Sequence, residues 1–438
     1  MKSQLQYSIY EKLVNEEDAR ACKAIPDSAC KVVPGNFIKI ICAQFLTKLG
    51  DALINPKVTL PWIMHSIGAP LFLIGWLVPI REAGSLVPQL AIAHFIRRLP
   101  RRKWVWVTGS VLQAVCVMAI GLIAMNIEGA SAGWLVIGVL TIFSLSRGLN
   151  SVAAKDVLGK TVPKNQRGRV NGWSSSAAGL VTIGLALLLA ASEFWHWHKG
   201  QSFYATSLLL AGLVWLAAAL IYGQIDEYRG EVDGGRNGMS QALKQLALIK
   251  TDKAFRRFLL TRTLFLSTAL SAPYYLLLAQ KNAGSSLWVL ALFMFASGLA
   301  SFVAGPFWGK MADRSSRSVM MLGASMCALV GIVLFLCDLW LADWQYYSLL
   351  IAGLYFLVCI AHDGVRVGRK TYLVDIAEGD KRTSYVAVSN TVIGVMLLVM
   401  SLFGLLTQWI SLSALVLVFA FIVLLGVWMA KQLPDVNG

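Results

Sequence analysis

Eight ionisable side chains sit inside stretches of the chain that are otherwise almost wholly apolar: Asp51, Arg81, Glu82, Arg147, Arg262, His362, Asp363 and Arg366. A charge held in hydrocarbon costs roughly 2.5–3.5 kcal/mol on insertion scales, so each is a candidate for an ion or solute path. Asp51 is the first candidate for a proton-carrying group. Desolvation raises a carboxyl pKa and a nearby guanidinium lowers it, so a carboxylate that alternately meets Arg147 and a drier wall can load and release a proton. The plainer alternative is a static ion pair that fastens helices together. Glu82 is the second candidate carboxylate, with Ser85 and Gln89 on its face of a helix and Arg81 turned about 100° away. Arg366 follows Asp363 by three residues and can pair with it within one helix. Arg262 is expected to reach toward the nearer membrane surface, and Lys39, Lys48 and Lys57, nearer the ends of their run, to snorkel.

The elements that must position these groups follow from composition. Of 438 residues, 57% are hydrophobic and only 14% charged, with a mean hydropathy of +0.64. Soluble chains carry about 25% charged residues, so a water-facing surface cannot be covered and a soluble enzyme is excluded. From residue 36 onward the chain reads as apolar runs of about 18–28 residues, enough to cross a hydrocarbon core of about 30 Å. We place twelve, near 37–64, 69–96, 104–125, 132–157, 172–192, 203–222, 257–280, 286–308, 318–337, 345–368, 385–409 and 411–430. Asp51 then lies roughly 22 Å along the first, near mid-membrane once tilt is allowed.

Alternate loops differ in charge. One set holds clusters such as Arg97 to Lys103, Lys160 to Arg169, Lys310 to Arg317 and Arg369 to Arg382, while the other offers only Lys199 and Lys281. By the positive-inside rule the first set and both termini are cytoplasmic, as in a bacterial-type inner membrane. That asymmetry accounts for most of the net charge of +16 without nucleic acid. Residues 1–35 are polar, with no cleavable signal expected. Residues 223–256 form a glycine-containing cytoplasmic linker with Leu243, Leu246 and Ile249 on one side of a surface helix. The organisation is thus a segment at 1–35, six-helix halves at 36–222 and 257–430, the linker between them, and a tail at 431–438. An internal repeat supports the cut. Ala52, Leu53 and Pro56 recur as Ala269, Leu270 and Pro273, Lys103 falls against Arg317, and Arg147-Gly148 against Asp363-Gly364. Tandem six-helix halves of this kind build many secondary transporters. Arg147 and Asp363, opposite in charge at corresponding positions, could meet across the pseudo-two-fold axis or bind opposite ends of a zwitterion or an anion.

The segment Gly309-Lys-Met-Ala-Asp313-Arg314-Ser-Ser-Arg317, between the eighth and ninth runs, resembles the loop signature G-x-x-x-D-R-x-x-R of the major facilitator superfamily. The first-half copy, Phe95 to Lys103, keeps the cations but lacks the glycine and the aspartate. Arg147-Gly-Leu-Asn150-Ser151 is similar to the family's R-x-x-Q-G element, while its Gly-Pro antiporter signature is missing from 172–184. The resemblance implies an all-α polytopic fold and alternating access of two halves around a cavity lined mainly by helices 1, 4, 7 and 10. It also implies that Gly309, Asp313, Arg314 and Arg317 belong to a cytoplasmic latch.

Pro56 and Pro273 recur in the first helix of each half, where a lost backbone bond permits a kink. Tyr274 and Tyr275 follow the second break and could line the cavity, with ordinary packing as the alternative. The run Glu193-Phe-Trp-His196-Trp-His198 suits an interfacial helix end better than a metal site. The seven cysteines are scattered, and no Walker loop, dinucleotide fingerprint or H-E-x-x-H motif is present, so neither metal nor cofactor is expected. The leading expectation is a secondary transporter, monomeric and proton-coupled, moving a small solute, with an efflux permease within its scope. A uniporter or sodium-coupled importer is the alternative. A polytopic membrane enzyme using His362 and Asp363, or a sensor signalling through residues 1–35, represents the other classes.

Overall fold

The computed structural model describes residues 33–89, 92, 95–96, 98–162, 167–194, 201–229, 248–283, 287–312, 314–376 and 381–434. Among them the chain is helical throughout and crosses the bundle twelve times. Hydrocarbon offers no partner for a backbone N–H or C=O, so a spanning segment must satisfy them within itself, and long apolar runs become helices.

The first span is α1 (Val33–Leu53) and α2 (Thr59–Ser66). The second is α3 (Leu71–Ile74) and α4 (Leu77–Leu86), which runs on through a turn at Val87-Pro88. Spans three to six are α5 (Lys103–Asn126), α6 (Gly129–Thr161), α7 (Arg167–Phe194) and α8 (Gln201–Gly223). After a short α9 (Leu248–Thr251), which carries Ile249, the seventh span is built from α10 (Lys253–Leu264), α11 (Ser267–Leu270) and α12 (Ala272–Ala283). Spans eight to ten are α13 (Leu287–Ala312), α14 (Ser316–Leu341) and α15 (Tyr347–Asp375). The eleventh is α16 (Lys381–Met400), continued as a 3-10 helix at Ser401–Gln408, and the twelfth is α17 (Leu412–Ala430). Leu243, Leu246, His196, His198 and Asp313 lie outside the described residues.

Among the described residues, eight spans are helices long and apolar enough to cross a membrane. Spans one, two and seven are broken into shorter helices. The first breaks where Pro56 cannot donate: Val58 and Leu60 both turn back to the Asn55 carbonyl, at 3.3 and 2.9 Å. In the seventh the expected kink at Ala272-Pro273 begins earlier, in turns at Phe265-Leu266 and Ser271. Large apolar side chains such as Leu188, Leu220 and Phe302 point outward. Trp340 and Trp409, near the far end, are 79% and 74% exposed, as interfacial tryptophans are.

Spans one to six pack among themselves, with α5 on α8 and α6, and α4 on α6. Spans seven to twelve do likewise, with α14 on α15 and α17, and α13 on α15. Between the two groups, α7 lies on α13 and α4 on α16, where a Cβ on Gly394 would come within 2.7 Å of Val87.

Contacts between the groups also close the end of the bundle remote from the termini. There α2 meets α12, and α3 meets the 3-10 helix. Gly75 and Gly404 let two backbones touch: a Cβ on Gly75 would lie 2.9 Å from the Gly404 Cα and 2.6 Å from the Tyr274 hydroxyl.

At the opposite, terminal end, each group is tied to itself. Lys103 Nζ donates to the carbonyls of Gly223 and Ile225 at 2.9 and 2.7 Å, just past the sixth span. Arg317 Nη1 donates to the Leu433 carbonyl at 2.7 Å, just past the twelfth. Glu227, with its side chain fully buried, accepts from the backbone N–H groups of Arg102 and Lys103 at 3.0 and 2.8 Å. It also pairs with Lys160 at 3.1 Å. A carboxylate at a helix N-terminus meets orphan donors and the positive end of the helix dipole together.

Two outcomes are expected. Gly75→Val with Gly404→Val wedges the far end apart, so spin labels at Ser66 and Asn282 move further apart than in the unmutated background; an unchanged distance would show that other contacts hold that end shut. Glu227→Gln replaces charge-assisted bonds by neutral ones and destabilises by about 1–3 kcal/mol, read as a lower unfolding midpoint in detergent.

Candidate functional site

A cavity of about 270 Å³ lies at mid-bundle between the two groups of six. The first span contributes Asp51, Asn55, Pro56 and Lys57, and the second Arg81 and Glu82. Arg147 comes from the fourth span, Thr268 and Ala272 from the seventh, Ser297 and Ser301 from the eighth. Tyr355, Cys359, His362, Asp363 and Arg366 come from the tenth. Toward the far end, Tyr274, Tyr275 and Trp62 are buried in the closure. Toward the terminal end the lining stays accessible at Arg366, whose side chain is 50% exposed.

The charges inside are organised by one carboxylate. Asp51 Oδ1 accepts from Arg81 Nη2 at 2.7 Å and from Arg147 Nη1 at 2.5 Å, joining spans one, two and four. Arg81 also stacks over the Phe143 ring, 5.4 Å from its centroid, and is 5% exposed. With Arg81 turned into the helix packing, the next residue on α4 is rotated about 100° and faces the cavity. Glu82 is accordingly exposed there and forms no ion pair among the described residues.

Arg147 and Asp363 do not meet. Asp363 Oδ1 is held by Arg366 Nη2 at 2.9 Å, one turn along α15, and Arg147 is taken by the nearer carboxylate of its own group. His362 Nδ1 lies 2.9 Å from Thr268 Oγ1, which ties span ten to span seven. Arg262 does not reach a surface: it is 7% exposed and donates to Ser389 Oγ and, at 3.3 Å, to Asn390 Oδ1.

Three expectations change on seeing the packing. Tyr274 and Tyr275 lie against Phe419 and Tyr355 respectively, inside the closure, so the phenol that reaches the cavity is that of Tyr355. Pro56 lines the cavity, but Pro273 is buried one residue beyond Ala272, which does line it. Lys57 does not snorkel. The break at Pro56 turns it into the cavity, and its backbone N–H is fixed by Asn55 Oδ1 at 2.8 Å. Apolar periodicity carried no sign of this, because only the unwound turn changes the direction of the side chain. Glu227 was hidden in the same way, in a segment that reads as linker.

Residues 40–362 match the family described as the Major Facilitator Superfamily. The chain belongs to the major facilitator superfamily. It is therefore a multi-pass membrane protein of that superfamily.

Its fold is similar to that of a POT family transporter solved with a thioalcohol-conjugated peptide, with a TM-score of 0.72 and 12% identity over 94% of this chain and 98% of that one. It is similar also to the xylose transporter XylE from E. coli, with a TM-score of 0.65 and 12% identity over 93% and 99%. The nucleoside transporter NupG gives a TM-score of 0.60 at 11% identity, over 91% and 99%. Uncharacterized proteins of Mycobacterium tuberculosis and Mycobacterium bovis are 21% identical over 306 residues, 65% of this chain. The chain spans 56% of the length of those relatives.

In this superfamily member the residues of the loop signature stand apart from the cavity. Among the described ones, Gly309 has open space where a Cβ would point, Arg314 is exposed, and Arg317 is bonded within its own group of spans.

The Asp51 network makes a stability prediction. Asp51→Asn leaves two guanidiniums facing one neutral amide and costs about 3 kcal/mol. Adding Arg81→Met removes one of the stranded charges, so the double variant unfolds at a higher temperature than Asp51→Asn alone. Equal midpoints would mean that Asp51 and Arg81 do not share a network.

Proposed function

We propose that this transporter is a secondary active one, coupling the movement of a small solute to protons by alternating access, with Glu82 as the proton-carrying group. The supporting observation is how the cavity carboxylates are partnered. Asp51 is held by two guanidiniums and Asp363 by one, while Glu82 has no ion-pair partner among the described residues. Protonating Asp51 would leave Arg81 and Arg147 without an anion, whereas Glu82 can change state without releasing a fixed contact. The groups around Glu82 are Asp51 and Lys57 on span one, Arg81 beside it and Arg147 on span four. On span ten they are His362, Asp363, Arg366 and Arg369.

On this reading Asp51 is the fastener of spans one, two and four, and residues 36–222 and 257–430 are two halves that rock about the cavity. The connection between them is 223–256. The lysine- and arginine-rich loops put the terminal end in the cytoplasm, so the structure corresponds to a state closed outside and accessible from within. The protein acts as a monomer in a bacterial-type inner membrane.

The test uses purified protein in proteoliposomes carrying a lumenal pH dye, challenged with a panel of solutes. Coupled transport acidifies the lumen on addition of a transported solute, and Glu82→Gln abolishes that signal while retaining counterflow exchange. Acidification that survives Glu82→Gln removes Glu82 from the role, and solute movement without any pH change in the unmutated protein favours a uniporter.

A further inference from the structure

The cavity is lined by four cations, Lys57, Arg81, Arg147 and Arg366, and three carboxylates, Asp51, Glu82 and Asp363. Three of the cations touch a carboxylate at 2.5–2.9 Å. Lys57 is the fourth. Its ammonium makes no hydrogen bond or ion pair among the described residues, and Glu82 and Asp363 act on it only at longer range. The backbone fixes it there, through the Asn55 contact and the turn that Pro56 imposes. A half-buried ammonium on a cavity wall with no anion in contact offers an open position for a ligand's negative charge.

The approach from the terminal end is rich in cations. Lys48 lies within electrostatic range of Asp51 and Arg366, and Lys370 within range of Arg366, Arg369, Arg262 and Asp363. Arg262 is buried against the neutral side chains of Ser389 and Asn390, with its Nε unpaired. An excess of one sign of charge along a passage between low-dielectric walls concentrates ions of the other sign.

Building on the transporter reading above, we infer that the cargo is a small organic monoanion whose carboxylate docks on the Lys57 ammonium. With His362 neutral, the lining carries one positive charge in excess, which a monoanion balances. The volume of about 270 Å³ lies just under the roughly 300–1,000 Å³ typical of drug-sized ligands. The cargo also explains the coupling. Protonation of Glu82 raises the excess from one positive charge to two, so proton and anion each favour the binding of the other.

The experiment is a thermal-unfolding series on the purified full chain in detergent, at pH 5.5 and pH 7.5. The probes are acetate, lactate, benzoate and phenylacetate, each against its neutral amide and an amine of similar size. At least one carboxylate is expected to raise the midpoint by about 3 °C or more at a hundredfold excess over its Kd, and by more at the lower pH. Its amide has no effect. The shift is lost in Lys57→Gln and in Lys57→Met and partly kept in Lys57→Arg, all three unfolding near the unmutated midpoint when no probe is present. Stabilisation by amines or amides alone, no shift with any carboxylate, or a carboxylate shift that survives Lys57→Gln overturns the inference. Those results leave alternating access intact, because the lumenal-pH assay reads it independently of cargo charge.

Discussion

A carboxylate held between two guanidiniums ties spans one, two and four together at the depth where an isolated charge is least tolerated. Asp51, Arg81 and Arg147 are each costly alone, and as a set they are held by two short ion pairs and by the Phe143 ring. The rest of the cavity takes its geometry from that set. Because Arg81 is drawn into the packing, Glu82 is rotated into the open space. Because Asp51 is fixed little more than a turn before the Asn55-Pro56 break, the unwound turn that follows delivers Lys57 to a defined place. Glu82 and Lys57, which make no ion pair among the described residues, both take their places from the one carboxylate that holds two guanidiniums.

Rigidity and compliance are divided along the same lines. Lys103 and Arg317, which align in the repeat, do equivalent work by holding carbonyls just past the last span of their own half. In the first half, where the loop signature lacks its aspartate, Glu227 supplies a buried carboxylate at the start of the third span. Gly109 and Gly323 align as well. A Cβ on Gly109 would strike Asn150, and one on Gly323 the Ala361 carbonyl, so close packing of the third span on the fourth is repeated as the ninth on the tenth. Each half is thereby braced within itself. Between the halves the far end rests on bare backbone at Gly75 and Gly404 and the α4–α16 seam on Gly394, contacts without ion pairs that can part at modest cost.

Much of this was legible in the residue order. Apolar length fixed the twelve crossings, because a backbone in hydrocarbon has no alternative to the helix. The loop signature gave the family, and proline marked the place where the first span breaks. The charges most in need of explanation, Asp51, Glu82, Arg147 and Asp363, stood out by type and depth alone, and all four line one cavity. Partner choice did not follow from type. Arg147 and Asp363 are complementary and symmetry-related, yet each is satisfied by something nearer, one across spans and one along its own helix.

What only the tertiary structure decided is which charges are paired and which are left over. A residue's position in sequence sets its depth, and helical periodicity sets its face, so both can be read from the chain by itself. Pairing depends on distances of a few ångströms between helices far apart in sequence, such as the ninety-six residues that separate Asp51 from Arg147. Those distances are set by glycine contacts, unwound turns and crossing geometry, none of which apolar periodicity encodes. Lys57 is the clearest case: by sequence a surface-seeking lysine, by fold a cation in the cavity wall with no ion pair among the described residues, because the break at Pro56 turns it inward.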